Sequence, residues 1–210
     1  MKKVLSAALV LLLVLSGCAG AKQKTDYLIL VNKENLLPEG YEETIELTEI
    51  EDVEEGLIDQ IEVKTKEAYL ELQAALLSEG IEIGIDSAYR SVAEQQEIMD
   101  EFTEKYGEDY AKAIVAVPGT SEHHTGLTID VVPKVNGEWL IENEDMMKET
   151  KLFERIHAKI TDYGFILRYP KGKEALTGYD YQPWVLRYVG KEAAKEITEQ
   201  GICLEEYLAS

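Results

Sequence analysis

The sequence predicts an α+β fold with a central antiparallel sheet flanked by helices. Two observations point there. Helical and strand-like segments are mixed without the strict alternation that a doubly wound parallel sheet requires. "LTIDVV" (127–132) and "GEWLI" (137–141) also follow one another closely enough to pair as a hairpin.

The elements follow in order. "YLILVN" (27–32) is an apolar, β-prone run ended by turn-prone Asn32 and Lys33, and it predicts a buried strand. From Pro38 to Glu62 the chain is strongly acidic, with apolar residues at Ile45, Leu47, Ile50, Val53 and Leu57, which suits a wrapping segment with short strands. Thr65 is positioned to cap a helix running to Glu79, with Gly80 as its stop and Ala68, Leu72, Ala75 and Leu76 on one face. "IEIGID" (81–86) alternates like a half-buried strand. Ser91 and Glu94 have capping-box spacing, so a helix is expected to start at Ser91 and run to Tyr106. A short helix over 108–116 stops before Pro118 and Gly119. Thr150 to Tyr163 is an amphipathic helix stopped by Gly164; "FILRYP" (165–170) and "WVLRYV" (184–189) are strands, and Lys191–Gln200 is a closing helix.

The first seventeen residues read as a secretory leader. Lys2 and Lys3 precede an apolar run from Val4 to Leu15 that is too short to cross a bilayer comfortably. "LSGC" at 15–18 resembles the lipobox of bacterial lipoproteins, which makes Cys18 the expected site of lipidation and of a membrane anchor. On this reading the protein sits on the outer face of the cytoplasmic membrane: residues 18–27 form a tether, and 28–210 a single domain. The other cysteine, Cys203, then has no disulfide partner and reads as a small packed residue. The chain carries 41 acidic residues against 21 basic ones, a net charge of −20, which argues against nucleic acid or anionic lipid as partners.

Within "SEHHTGLTID" (121–130), His123 and Asp130 bracket a turn that enters a strand, and Gly126 allows that turn to fold tightly. Alone, such a pair is weak evidence for metal, since a catalytic zinc needs three protein ligands and an open position for water. Taken alone, the pair reads more readily as a polar turn whose aspartate accepts backbone hydrogen bonds.

Longer stretches sharpen the reading. "SAYRS" (87–91) followed by Gln95, "GTSEHHTGLTID" (119–130) and "GFILRYPKGKEALTGYDYQPWVLRYVG" (164–190) together resemble the VanY-like family of zinc D-alanyl-D-alanine carboxypeptidases, as does the opening "LILVNKENLLPEGY" (28–41). The resemblance implies the hedgehog/DD-peptidase fold and removal of the terminal D-alanine from peptidoglycan stem peptides. It implies His123 and Asp130 as zinc ligands, Ser121 beside the substrate, and Arg90 binding substrate and stabilising charge during attack. A guanidinium can fork onto a carboxylate or a developing oxyanion, which fits that role.

The same resemblance exposes a departure. The family pattern Y-E-P-W-H-x-R-Y-V-G supplies the general base and the third zinc ligand, whereas this chain reads "YQPWVLRYVG" (181–190), with Gln182 and Val185 in those places. Tyr181, Pro183, Trp184, Arg187, Tyr188, Val189 and Gly190 match and fix the register. One ligand carries on the order of 3 kcal/mol of metal affinity, so its loss weakens binding roughly a hundredfold. Replacing a carboxylate base by an amide costs about 10² to 10⁴ in rate. The expectation is a degenerate centre with weak or lost zinc that retains the pocket frame of Arg90, Ser121, His123, Asp130, Trp184 and Arg187, though Arg187 has a plain alternative as the partner of an acid and Trp184 as core. The alternative is an active carboxypeptidase with an altered zinc site completed by His124 or Asp180. Otherwise His124 reads as a solvent-facing or rim residue, and His157 as a packed helix residue.

Overall fold

The computed structural model describes residues 25–210. The leader and the lipobox with Cys18 therefore lie outside the described residues.

Strands β1 (Leu47–Glu51) and β2 (Ile58–Glu62) form a small antiparallel pair within the acidic wrapping segment. The main sheet has the order β3-β4-β7-β6, built from β3 (Ile83–Ser87), β4 (Thr128–Val135), β7 (Gln182–Tyr188) and β6 (Phe165–Tyr169), and every pairing is antiparallel. Glu138–Trp139 (β5) pairs with the end of β4 as the expected hairpin. The helices are α1 (Val63–Ser78), α2 (Val92–Tyr106), α3 (Glu108–Ile114), α4 (Asn143–Met146), α5 (Thr150–Ile160), α6 (Glu174–Thr177), α7 (Lys191–Gln200) and α8 (Leu204–Leu208). The short α4, α6 and α8 were not anticipated.

Local chemistry explains most boundaries. Both hydrogen bonds of the Ser91–Glu94 capping box are made, and they start α2 where expected. Gly80 (φ 77°) and Gly164 (φ 84°) adopt the left-handed conformation that ends α1 and the turn after α5. The start of α1 differs from expectation. Glu62, not Thr65, is the N-cap, and its carboxylate accepts from the Thr65 N–H at 2.8 Å, so Thr65 lies inside the first turn.

A second difference is larger. Residues 27–32 form no strand. The Arg187 guanidinium donates to the carbonyls of Tyr27 (3.1 Å) and Ile29 (2.8 Å), so side-chain donors serve these backbone acceptors in place of a ladder. The apolar character of the run has another use: Leu28 and Leu30 pack on a minor core of Ile166, Val189, Ala194, Ile197 and Leu204.

The main core joins Leu72 and Leu76 of α1 and Phe153 and Ile156 of α5 to Ile83, Ile85, Ile129, Val131 and Leu186 of the sheet. Strand alternation turns Thr128 and Asp130 to the face opposite Ile129 and Val131. The core side of β4 thus fixes the direction in which the motif aspartate points. Cys203 is buried at the start of α8, and burial pushes its thiol up, as suits a packed residue.

Candidate substrate and metal site

A cavity of about 420 Å³ opens on that face, and its lining includes Arg90, Ser121, His123, Asp130, Trp184 and Val185. Helices α2 and α3 and the segment running into α4 form its walls, through residues such as Phe102, Ile114 and Met146.

His123 sits in a 3-10 turn (Glu122–Thr125) that Ser121 caps by accepting the His123 N–H at 3.3 Å. Gly126 (φ 69°) ends the turn, and a Cβ there would approach Leu47 Cδ2 to 2.9 Å, so the tight fold expected of this glycine is present. Ser121 is buried, lines the cavity and shapes the turn that presents the histidine.

The His123 ring is oriented by its Nδ1, 2.6 Å from the Ala88 carbonyl. A carbonyl only accepts, so Nδ1 carries the hydrogen, and in the neutral ring Nε2 presents a lone pair to the cavity. Asp130 Oδ1 lies 3.4 Å from that Nε2 and is a buried oxygen with no hydrogen-bond partner among the described residues. A nitrogen and a carboxylate oxygen with their acceptor sides turned to one another are what a cation would bridge. These two donors fit the start of a zinc site.

They do not complete one. Val185 stands directly across from Asp130 in the β4·β7 ladder and lines the same cavity. A histidine there would reach the gap; valine offers no lone pair. Among the described residues, no three His, Cys, Asp or Glu side chains come together in a way that could hold a metal. His124 does not substitute. Its Nδ1 lies 2.7 Å from the Arg90 carbonyl and its Nε2 accepts the Gly119 N–H at 3.0 Å, so both nitrogens are engaged. It is also buried, contrary to the solvent-facing or rim position expected of it, because it ties the Arg90 backbone to the Gly119 turn. Burial, with Arg90 and His123 nearby, lowers the His124 pKa from its ordinary value despite the Arg90 carbonyl. Asp180 is exposed and does not line the cavity. His157 is the packed helix residue expected, against the Pro183 carbonyl at 2.8 Å.

Arg90 is held in place for work in the cavity. Its Nε donates to Ser87 Oγ at 2.7 Å and its Nη2 to Asp130 Oδ2 at 2.5 Å, and among the described residues no bond engages Nη1. Burial alone would raise the Asp130 carboxyl, but a protonated His123 ring and the Arg90 guanidinium outweigh it and hold the group below the usual carboxylate range. Asp86 lines the cavity from β3 and its surface remains solvent-exposed, yet the protein packed around its carboxyl, and then the carboxylates of Asp130 and Asp52, push it up to about 6. Trp184 is almost fully buried and presents apolar surface both to the core and to the cavity. Gln182 is buried and donates from Nε2 to the Ile114 carbonyl at 3.2 Å.

Two features were not visible beforehand. Glu122 is fully buried between Arg168 (2.7 Å) and Arg187, and Arg168 also pairs with Glu205 at 2.6 Å. This network fixes the turn that carries His123, and Arg187 belongs to it, outside the cavity. Burial raises Glu122, but the two guanidiniums prevail and keep it below its ordinary range. Gln95, part of the motif, is also structural: its Nε2 donates to the Ala116 carbonyl at 2.9 Å and ties α2 to the cavity wall.

An antiparallel sheet brings an arginine, a serine and a histidine–aspartate pair into one cleft, the arrangement that the resemblance to zinc carboxypeptidases implies. The chain belongs to the VanY D-alanyl-D-alanine carboxypeptidase family, whose profile matches residues 59–191. A D-alanyl-D-alanine carboxypeptidase of Enterococcus faecalis (strain ATCC 700802 / V583) is 36% identical over 205 residues, covering 90% of this chain and 70% of that protein. Two solved structures share the fold. The D,D-pentapeptidase VanY E175A mutant from the VanB-type resistance cassette, in complex with Zn(II), matches with TM-score 0.72 and 37% identity over 87% of this chain and 98% of its own. VanYB in complex with D-alanine-D-alanine matches with TM-score 0.72 and 36% identity over 88% and 98%.

Proposed function

We propose that this chain is a cell-envelope lipoprotein, anchored through Cys18, that binds peptidoglycan stem peptides ending in D-Ala-D-Ala without hydrolysing them. The observation that carries this reading is Val185 beside Asp130 in the β4·β7 ladder, lining the cavity at the position where a third zinc donor is required. The family relatives include a VanY solved with D-alanine-D-alanine, and Arg90, Ser121 and Trp184 line this chain's cavity. The terminal carboxylate would be received by Arg90, whose Nη1 is uncommitted among the described residues. Water in the cleft has neither a third-ligand zinc to acidify it nor a carboxylate at position 182 to take its proton.

The test is calorimetric titration of the mature protein with an acyl-D-Ala-D-Ala peptide, alongside an assay for released D-alanine. Binding that persists in chelator with no D-alanine formed is expected. Arg90→Lys keeps the charge and loses the fork, and it should weaken binding about tenfold, as expected for a hydrogen bond to a charged group. Chelator-sensitive release of D-alanine by the unmodified protein would overturn the proposal.

A further inference from the structure

We infer that Gln182 is a positioning residue whose amide closes the carboxyl end of α3 and thereby fixes one wall of the cavity. A helix leaves its last four carbonyls without partners inside the helix. In α3 all four find donors. Ala111 O accepts from the Val115 N–H at 2.7 Å, Lys112 O from Lys33 Nζ at 3.1 Å, Ala113 O from the Asp180 N–H at 3.2 Å, and Ile114 O from Gln182 Nε2 at 3.2 Å. Three of these donors come from outside the helix, with Asp180 just before β7 and Gln182 at its first position. Lys33 also donates to the Gly178 carbonyl at 2.5 Å, so the N-terminal segment clamps the same loop. Two residues on, the Ala116 carbonyl is taken by Gln95. Ile114, Val115 and Ala116 all line the cavity, so side-chain amides from both sides hold this wall.

The chemistry at position 182 is directional. An amide brings hydrogens to the Ile114 carbonyl, whereas an ionised carboxylate brings only lone pairs and would repel it. The residue that stands where the family places its base therefore has a donor's task that a glutamate cannot perform at neutral pH. This inference does not depend on whether the chain turns over substrate.

Hydrogen exchange of the mature protein tests it through Gln182→Glu and Gln182→Met. At about pH 7, both variants should exchange the amides of 111–116 roughly tenfold faster than the unmodified chain, through loss of one buried hydrogen bond. At about pH 4, where a carboxyl repelled by a carbonyl is protonated, its O–H can donate to Ile114 O. Gln182→Glu should then match the unmodified chain at that pH, while Gln182→Met stays faster. Unchanged exchange at neutral pH in both variants, or a Gln182→Glu defect as large in acid as at neutrality, would overturn the assignment.

Discussion

Val185→His raises zinc affinity at least about a hundredfold, and Gln182→Glu added to it produces D-alanine release. The first effect follows from geometry already in place. Residue 185 is the direct cross-strand neighbour of Asp130, and such pairs hold their Cβ atoms about 5 Å apart, within imidazole reach of a common centre. His123 Nε2 and Asp130 Oδ1 already face one another with no hydrogen bond between them. A third ligand contributes on the order of 3 kcal/mol, which corresponds to about a hundredfold in affinity. The second substitution supplies a proton acceptor, worth about 10² to 10⁴ in rate. Order matters, because the carboxylate also removes the donor to Ile114 O. Gln182→Glu alone should loosen the α3 wall and create no turnover, and the double variant should carry both activity and a lowered melting temperature. Competition with a zinc chelator and a D-alanine assay on the two single variants and the double variant separate these effects. If the unmodified chain binds zinc as tightly as the double variant, the view of Val185 as a lost ligand is wrong.

What the sequence made legible was local or carried by a motif. The Ser91–Glu94 box, the Gly80 and Gly164 stops, the β4–β5 hairpin and the convergence of Arg90, Ser121, His123 and Asp130 all rest on residues near one another or on a fixed motif order. The misses share another cause. Residues 27–32 have strand-like composition, but Arg187, 158 residues beyond Ile29, takes the carbonyls that a strand would have used. His124 read as a solvent-facing or rim residue because its partners, Arg90 O and Gly119 N–H, are backbone groups without a side-chain signature. Thr65 has the residue type of a cap, yet Glu62 performs the capping with a longer side chain. Burial of charge is the least legible feature: an acidic chain offers many glutamates, and nothing near Glu122 marks it as the one enclosed by two arginines.

That enclosure predicts the largest loss of stability. Glu122→Gln should destabilise the fold by about 3–5 kcal/mol, because it removes the charge that two desolvated guanidiniums require. For a domain of this size that lowers the melting temperature by about 10 °C or more. Arg168 keeps Glu205 as a partner, so the loss falls mainly on Arg187, whose remaining acceptors are the Tyr27 and Ile29 carbonyls and, through Nε, that of Tyr188. The turn bearing His123 should loosen with it, so ligand binding at the cavity weakens although Glu122 touches no ligand. The pH dependence has a definite sign. With its folded-state pKa depressed, Glu122 contributes stability that is fully present above its unfolded pKa of about 4.3 and is lost as pH falls through the lower folded value. Glu122→Gln should therefore flatten the acid limb of the stability curve while lowering its plateau. Replacing Glu122 and Arg187 together by apolar residues of similar volume should cost less than the single change, since the orphaned charge then disappears. Chemical denaturation of the single and double variants across pH decides the matter: equal losses in both, or an unchanged acid limb in Glu122→Gln, would mean that this ion network does not hold the histidine turn.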